Sequence, residues 1–189
     1  NDWAVYLNLP GQNTWNNDNT NWAHGVSSFN NPSTRLADVN GDGFPDVIIS
    51  SSNGGPNETY EVLLNSGGSL MPSKKWIDNA SVDAIDFSNH NVVIADVNGD
   101  GLPDIVRGNG FNSSNTSAHW QVLLNMGDHF STTITTWFDA TMNGSNDFDL
   151  VKVVDLNGDG LTDVLNQAFG SWQGYISQGF APNALYEIT

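Results

Sequence analysis

Asp38-Val-Asn-Gly-Asp-Gly-Phe-Pro-Asp46 recurs as Asp96-Val-Asn-Gly-Asp-Gly-Leu-Pro-Asp104 and as Asp155-Leu-Asn-Gly-Asp-Gly-Leu-Thr-Asp163, at intervals of 58 and 59 residues. Each copy sits between apolar stubs: Leu36-Ala37 and Val47 to Ile49 in the first, Val92 to Ala95 and Ile105-Val106 in the second, Val151 to Val154 and Val164-Leu165 in the third. β-branched runs on both sides of a Gly-rich loop predict strand, loop, strand. Pro45 and Pro103 stand late in the loop, where no ladder donor is required.

A second segment repeats at a similar interval: Trp3 to Asn8, Tyr60 to Asn65, Trp120 to Asn125 and, degraded, Trp172 to Ser177. Each opens with an aromatic residue and continues as a short apolar strand. Trp76-Ile77 and Trp137-Phe138 mark a fourth element. One unit therefore holds four strands in just under sixty residues, the size of a propeller blade with long loops. The expected fold is all-β, built from about three blades of four antiparallel strands. The divisions fall at 1–30 (partial blade), 31–88, 89–148 and 149–189 (partial blade). Propellers close with roughly four to eight blades, so the ring is either incomplete or completed by assembly with neighbouring blades or another copy.

Composition agrees. Of 21 acidic residues 18 are Asp, and Asp, Asn, Gly, Ser and Thr favour turns over helix. Five basic residues against those 21 acids give a formal charge of −16. That excludes nucleic acid, which needs clustered Lys and Arg, and argues against an anionic membrane surface. No apolar run approaches the roughly 20 residues of a membrane helix. The absence of cysteine excludes thiol chemistry and disulfide scaffolds. The chain opens at Asn1 inside a predicted strand and without Met, so it reads as a processed or excerpted piece.

The Asp loop carries the chemistry. A hard cation such as calcium takes six to eight oxygens. Side chains at loop positions 1, 3 and 5 converge when a glycine at position 6 lets the chain coil. Those positions hold Asp38, Asn40 and Asp42; Asp96, Asn98 and Asp100; and Asp155, Asn157 and Asp159. Position 7 offers a backbone carbonyl from Phe44, Leu102 or Leu161, and position 9 a carboxylate from Asp46, Asp104 or Asp163. A helix-loop-helix calcium site needs Glu at position 12; here position 12 is Ile49, Arg107 and Asn166, so Asp at position 9 is the expected closing ligand. About three Ca2+ are expected, one per loop, fixing hairpins.

These loops between apolar strands, followed by Trp/Tyr-x-Val-Leu-Leu-Asn, resemble the FG-GAP/VCBS-type repeat of integrin-α-like propellers, propeller lectins and large secreted toxins and surface proteins. The resemblance implies a calcium-binding propeller in a secreted or cell-surface protein, engaging carbohydrate or another cell-surface protein in lectin-like or adhesive fashion. The alternative is a scaffold segment of a larger secreted toxin or surface protein, without a ligand of its own. No His-Glu-x-x-His and no Ser, His and Asp arrangement stands out, and most Asp already belong to the loops, so an enzyme is not expected. Trp15 and Trp22 lie in an Asn-rich loop without obvious repeat counterparts and are the candidate ligand contacts. Asn57, Asn79, Asn112, Asn115 and Asn143 begin glycosylation sequons.

Overall fold

The computed structural model describes residues 2–16, 20–24, 33–52, 58–78, 87, 92–109, 119–139, 151–168, 171–179 and 186–188. The asparagine of each of the five sequons falls outside this set. The described residues contain strands and turns but no helix.

Three antiparallel sheets of four strands succeed one another along the chain. The first orders β5 (Thr34–Ala37), β6 (Asp46–Ser52), β7 (Glu58–Leu63) and β8 (Lys74–Asp78) side by side. The second does the same with β9 (Val92–Ala95), β10 (Asp104–Asn109), β11 (His119–Leu123) and β12 (Thr135–Asp139). The third comprises β13 (Val151–Val154), β14 (Asp163–Ala168), β15 (Ser171–Ile176) and β16 (Tyr186–Ile188). Sequential pairing without crossover is the meander expected of propeller blades. The segment after 148, read from sequence as a partial unit, thus forms a four-stranded sheet; β16 reaches back along β15 as far as Gly174.

Apolar residues at consecutive positions of the second strands serve two different cores. Ile48 and Ile105 share one core with Tyr60, Trp76, Leu123 and Phe130, whereas Val106 and Val164 share the next with Trp120, Trp137 and Tyr175. Ile105 and Val164, the first residues after Asp104 and Asp163, therefore face the preceding blade, and Ile48 and Val106, the second residues after Asp46 and Asp104, face the following one. Period-2 alternation makes this division automatic. Aromatic pairs fill the gaps: Trp76 and Phe130 meet across the first junction at 5.3 Å, and Trp120 and Trp137 pack edge to face at 6.1 Å. Burying a side chain such as Phe130 stabilises by about 1.5–3 kcal/mol. The first strands β9 and β13 also approach one another.

Phe87, from the connection between the first two blades, is 1% exposed and packs tilted against Tyr60, with ring centroids 5.4 Å apart. Its amide donates to Ser50 Oγ, and its carbonyl accepts from the Arg35 guanidinium, which also lies over its ring.

Ahead of the first full blade, β1 (Asp2–Val5) pairs with β4 (Thr20–His24), and β2 (Asn8–Leu9) with β3 (Thr14–Trp15). The β1–β4 register places Trp3 opposite Ala23, with an irregularity directly after Trp3. Tyr60 faces Ile77 and Trp120 faces Phe138 with the same irregularity at the same point. This recurring bulge identifies β1 and β4 as the third and fourth strands of a blade. It also gives Trp22 a repeat position after all, that of Trp76 and Trp137, which corrects its reading as an unmatched loop residue. The side chain of Trp22 lies outside the described set.

Candidate functional site

The three Asp loops have one conformation, dictated by their glycines and Asx side chains. In the first loop the Asp38 carboxylate accepts from the Gly41 and Asp42 amides (2.8 and 3.1 Å) through Oδ1, and from the Gly43 amide (2.8 Å) through Oδ2. Asn40 Oδ1 accepts from the Asp42 amide, its Nδ2 donates to Asp42 Oδ2, and Asp42 Oδ1 accepts from the Phe44 amide. Gly41 and Gly43 have φ of +73° and +89°, which L side chains rarely adopt. Asp96 binds the Gly99 and Gly101 amides, and Asp155 the Gly158 and Gly160 amides, in the same manner. Those amides, Gly160 first, hold the Asp155 carboxyl below the ordinary aspartate range.

The ninth-position carboxylates do something the repeat spacing did not assign to them. Asp46, Asp104 and Asp163 are each 0% exposed. Asp46 accepts from the Val39 amide at 3.0 Å and the Asn65 amide at 2.7 Å. Asp104 takes Val97 and Asn125 at the same distances, and Asp163 takes Leu156 and Ser177 at 2.7 Å each. One carboxylate thus ties the loop's second residue to the end of the third strand. Burial pushes the Asp104 carboxyl up to about 7, assisted by the charges of Asp100 and Asp96 and opposed by its two amides. Burial raises Asp46 too, with Asp42 and Asp38 adding to it.

The closing Asn of Val-Leu-Leu-Asn is a positioning residue that the sequence reading passed over as a strand end. Asn125 is 2% exposed; its Nδ2 donates to Pro103 O and, across the junction, to Val39 O in the first blade's loop, while its Oδ1 accepts from Gly127 N. Asn65 repeats the contacts within its own blade, to Pro45 O and from Gly67 N. Position 7, expected to act through its carbonyl, has a further role through its side chain. Leu102 packs on Gly41, where a Cβ would lie 3.3 Å from it, and Leu161 packs on Gly99 at 2.8 Å. The second and third loops therefore lean on their predecessors.

Among the described residues no three Asp, Glu or His side chains converge as a ready metal cluster. The donor chemistry nonetheless suits a hard cation. Each loop offers oxygens alone, from two Asp side chains, one Asn and a carbonyl. A carboxylate oxygen bonded to one amide keeps a second acceptor direction. Repulsion between the ninth carboxylate and its loop partners favours a countercharge.

Elsewhere, Trp15 is 62% and Tyr6 54% exposed, and with Thr14 and Asn16 they line an open cleft of about 560 Å³. Asn16 Oδ1 accepts from the Leu7 amide and fixes one wall. Trp172, the repeat counterpart of Tyr60 and Trp120, is 52% exposed although both of those are 0%.

The profile of the FG-GAP-like repeat family matches residues 38–107 and again 96–165. Each match begins on the first Asp of a loop and reaches past the next loop. No curated protein matches the chain. With the matches together spanning about two thirds of its length, the chain belongs to the FG-GAP-like repeat family. Repeats of this family generally serve as non-enzymatic binding or scaffold modules, typically in extracellular or surface proteins.

Proposed function

We propose that this FG-GAP-repeat chain is a calcium-stabilised, non-catalytic β-propeller binding module acting outside the cell, with carbohydrate or a cell-surface protein as its ligand. The observation that carries the reading is the threefold identity of the Asp loops, each gathering oxygen donors around two left-handed glycines in a chain of formal charge −16. Asp38, Asn40, Asp42, the Phe44 carbonyl and Asp46 are the proposed donors of the first loop, with their counterparts in the other two. A bound divalent ion supplies the charge that offsets the carboxylates. The chain's own residues do the rest: Asp38 curls the turn through its amides, and Asp46 pins that turn to the third strand. Because calcium binds the folded loop alone, it stabilises by RT ln(1 + [L]/Kd), about 2.7 kcal/mol per site at a hundredfold excess over Kd.

The cleft between Trp15 and Tyr6 supports carbohydrate as the ligand class. Two exposed aromatic rings offer faces for sugar stacking, and Thr14 and Asn16 supply hydrogen-bonding groups beside them. A glycan array probed in calcium tests this. Selective sugar binding that Trp15→Ala abolishes supports it; a blank array rejects the lectin reading and leaves a scaffold segment of a larger secreted or surface protein.

A further inference from the structure

The Asp loops are tied to one another as well as to their own blades, and the two junctions use different hydrogen bonds for it. Between the first and second loops the tie is a side chain. The Val39 amide donates to Asp46 Oδ2 at 3.0 Å, and the Val39 carbonyl accepts from Asn125 Nδ2 at 2.9 Å. The Asn125 amide in turn donates to Asp104 Oδ1 at 2.7 Å, and Asp104 Oδ2 accepts from the Val97 amide at 3.0 Å. One asparagine thus joins the ninth-position carboxylates of two loops through an unbroken run of bonds, and no residue in that run is more than 2% exposed.

The third unit departs from this plan at two positions together. Ser177 stands where the other two units have Asn65 and Asn125. Like them it donates its amide to the ninth carboxylate and accepts a glycine amide two residues on. A serine has no NH2 group with which to span a junction. Thr162 stands where the other loops have Pro45 and Pro103, and unlike proline it has an amide hydrogen to give. That amide donates to the carbonyl of Asp96, the first residue of the second loop, at 3.3 Å. The second and third loops are therefore joined as well, by a backbone bond in place of the side-chain one.

We propose that these ties make calcium uptake by neighbouring loops positively cooperative, through Asn125 between the first and second loops and through the Thr162 amide between the second and third. This coupling rests on the calcium reading of the loops and adds to it what the sites do to one another. An ion fixes a loop against the repulsion of its own carboxylates. The tie passes that order on. With Asp104 held, Asn125 is held, and Asn125 restrains the Val39 carbonyl between Asp38 and Asn40, two proposed donors of the first loop. A loop ordered in advance loses less freedom when its own ion arrives. Charge acts the other way, since an ion in one loop weakens the attraction felt by the next. That opposition is screened by salt, so the cooperativity strengthens as ionic strength rises.

Site-resolved calcium titration of the isotope-labelled full chain, following the Gly41, Gly99 and Gly158 amides at about 0.15 M salt, tests it. Disabling the first loop by Asp42→Ala should weaken binding at Gly99 about fivefold or more, the lower end of ordinary coupling between sites. In Asn125→Ala that dependence on Asp42 should largely vanish, a double-mutant cycle that a merely structural role for Asn125 would not produce. Disabling the third loop by Asp159→Ala should weaken Gly99 likewise. Thr162→Pro, which installs the residue of the other two loops, should remove most of that second dependence, and adding Ser177→Asn should restore it. In chelator, Asn125→Ala should speed amide exchange at Gly41 and Gly43 several-fold, because the tie needs no metal; exchange that quickens only around Gly127 overturns the proposal. Amides that respond to calcium with constants indifferent to the neighbouring loop overturn the coupling and leave the calcium reading standing. Amides that do not respond to calcium at all refute both.

Discussion

Replacing Asp104 separates the two duties of the ninth-position carboxylate. Its oxygens accept from the Val97 amide at 3.0 Å and the Asn125 amide at 2.7 Å, and neither residue is more than 2% exposed. Asp104→Ala leaves both amides buried and unpaired. Each such loss costs about 1–3 kcal/mol, so the variant is expected to lose about 2–6 kcal/mol, a large share of the roughly 5–15 kcal/mol of a typical domain. Asp104→Asn keeps one acceptor and sets an NH2 group against the other amide, for a loss of about 1–3 kcal/mol. The assay is urea unfolding at pH 8, run in calcium and in chelator, with amide exchange followed at Val97 and Asn125. The ranking Ala worse than Asn is expected to persist in chelator, with both amides exchanging faster, because the amide ties need no metal. If both variants match the parent in chelator and differ only in calcium, the carboxylate serves as a ligand alone and the reasoning fails.

Other residues give independent tests. Asn125→Ala should cost more than Asn65→Ala, by about 1 kcal/mol, because only Asn125 reaches across a junction to Val39 O; paired urea melts decide this. Gly99→Ala should be more damaging than Gly158→Ala. Both have positive φ, but a Cβ at Gly99 lies 2.8 Å from Leu161 whereas one at Gly158 meets nothing within 4 Å, so equal melting temperatures would contradict the junction contact. In chelator, stability should fall as pH rises from about 4 through about 7. Asp104 and Asp46 have folded pKa values above the ordinary aspartate value of 3.8, so the native state holds their protons more tightly, and that advantage disappears as the carboxyls ionise. Urea midpoints at pH 5 and pH 8 read the sign. Trp120→Ala should cost about 3–5 kcal/mol as a cavity between the second and third blades, since Trp120 is 0% exposed.

The blade pattern was legible because its signals repeat in register. An Asp loop between two apolar runs can be read three times, and an aromatic followed by Val-Leu-Leu-Asn twice, without knowing any contact. What escaped lacked repetition or needed a partner strand. Phe87 is one of several apolar residues in the 79–91 connection, with no repeat to single it out, and only the fold shows it plugging the first junction under Arg35. Trp22 sits among asparagines that conceal its repeat position, and the bulge after Trp3 was needed to reveal it. The roles of Asp46 and Asn65 rest on directions of side-chain hydrogen bonds, which spacing does not encode. Trp172 has the residue type of a core position and yet is 52% exposed, because burial depends on what packs against the sheet and not on residue type alone.

The most direct test of the calcium reading is isothermal titration of the chelator-stripped chain with calcium, followed by metal analysis of the dialysed product. About three ions per chain are expected, falling by about one in Asp42→Asn, with a rise in melting temperature that tracks occupancy. A chain that takes up no calcium at millimolar concentrations and melts at one temperature in calcium and in chelator would contradict the account, and the Asp loops would then stand as turns held by their own amides.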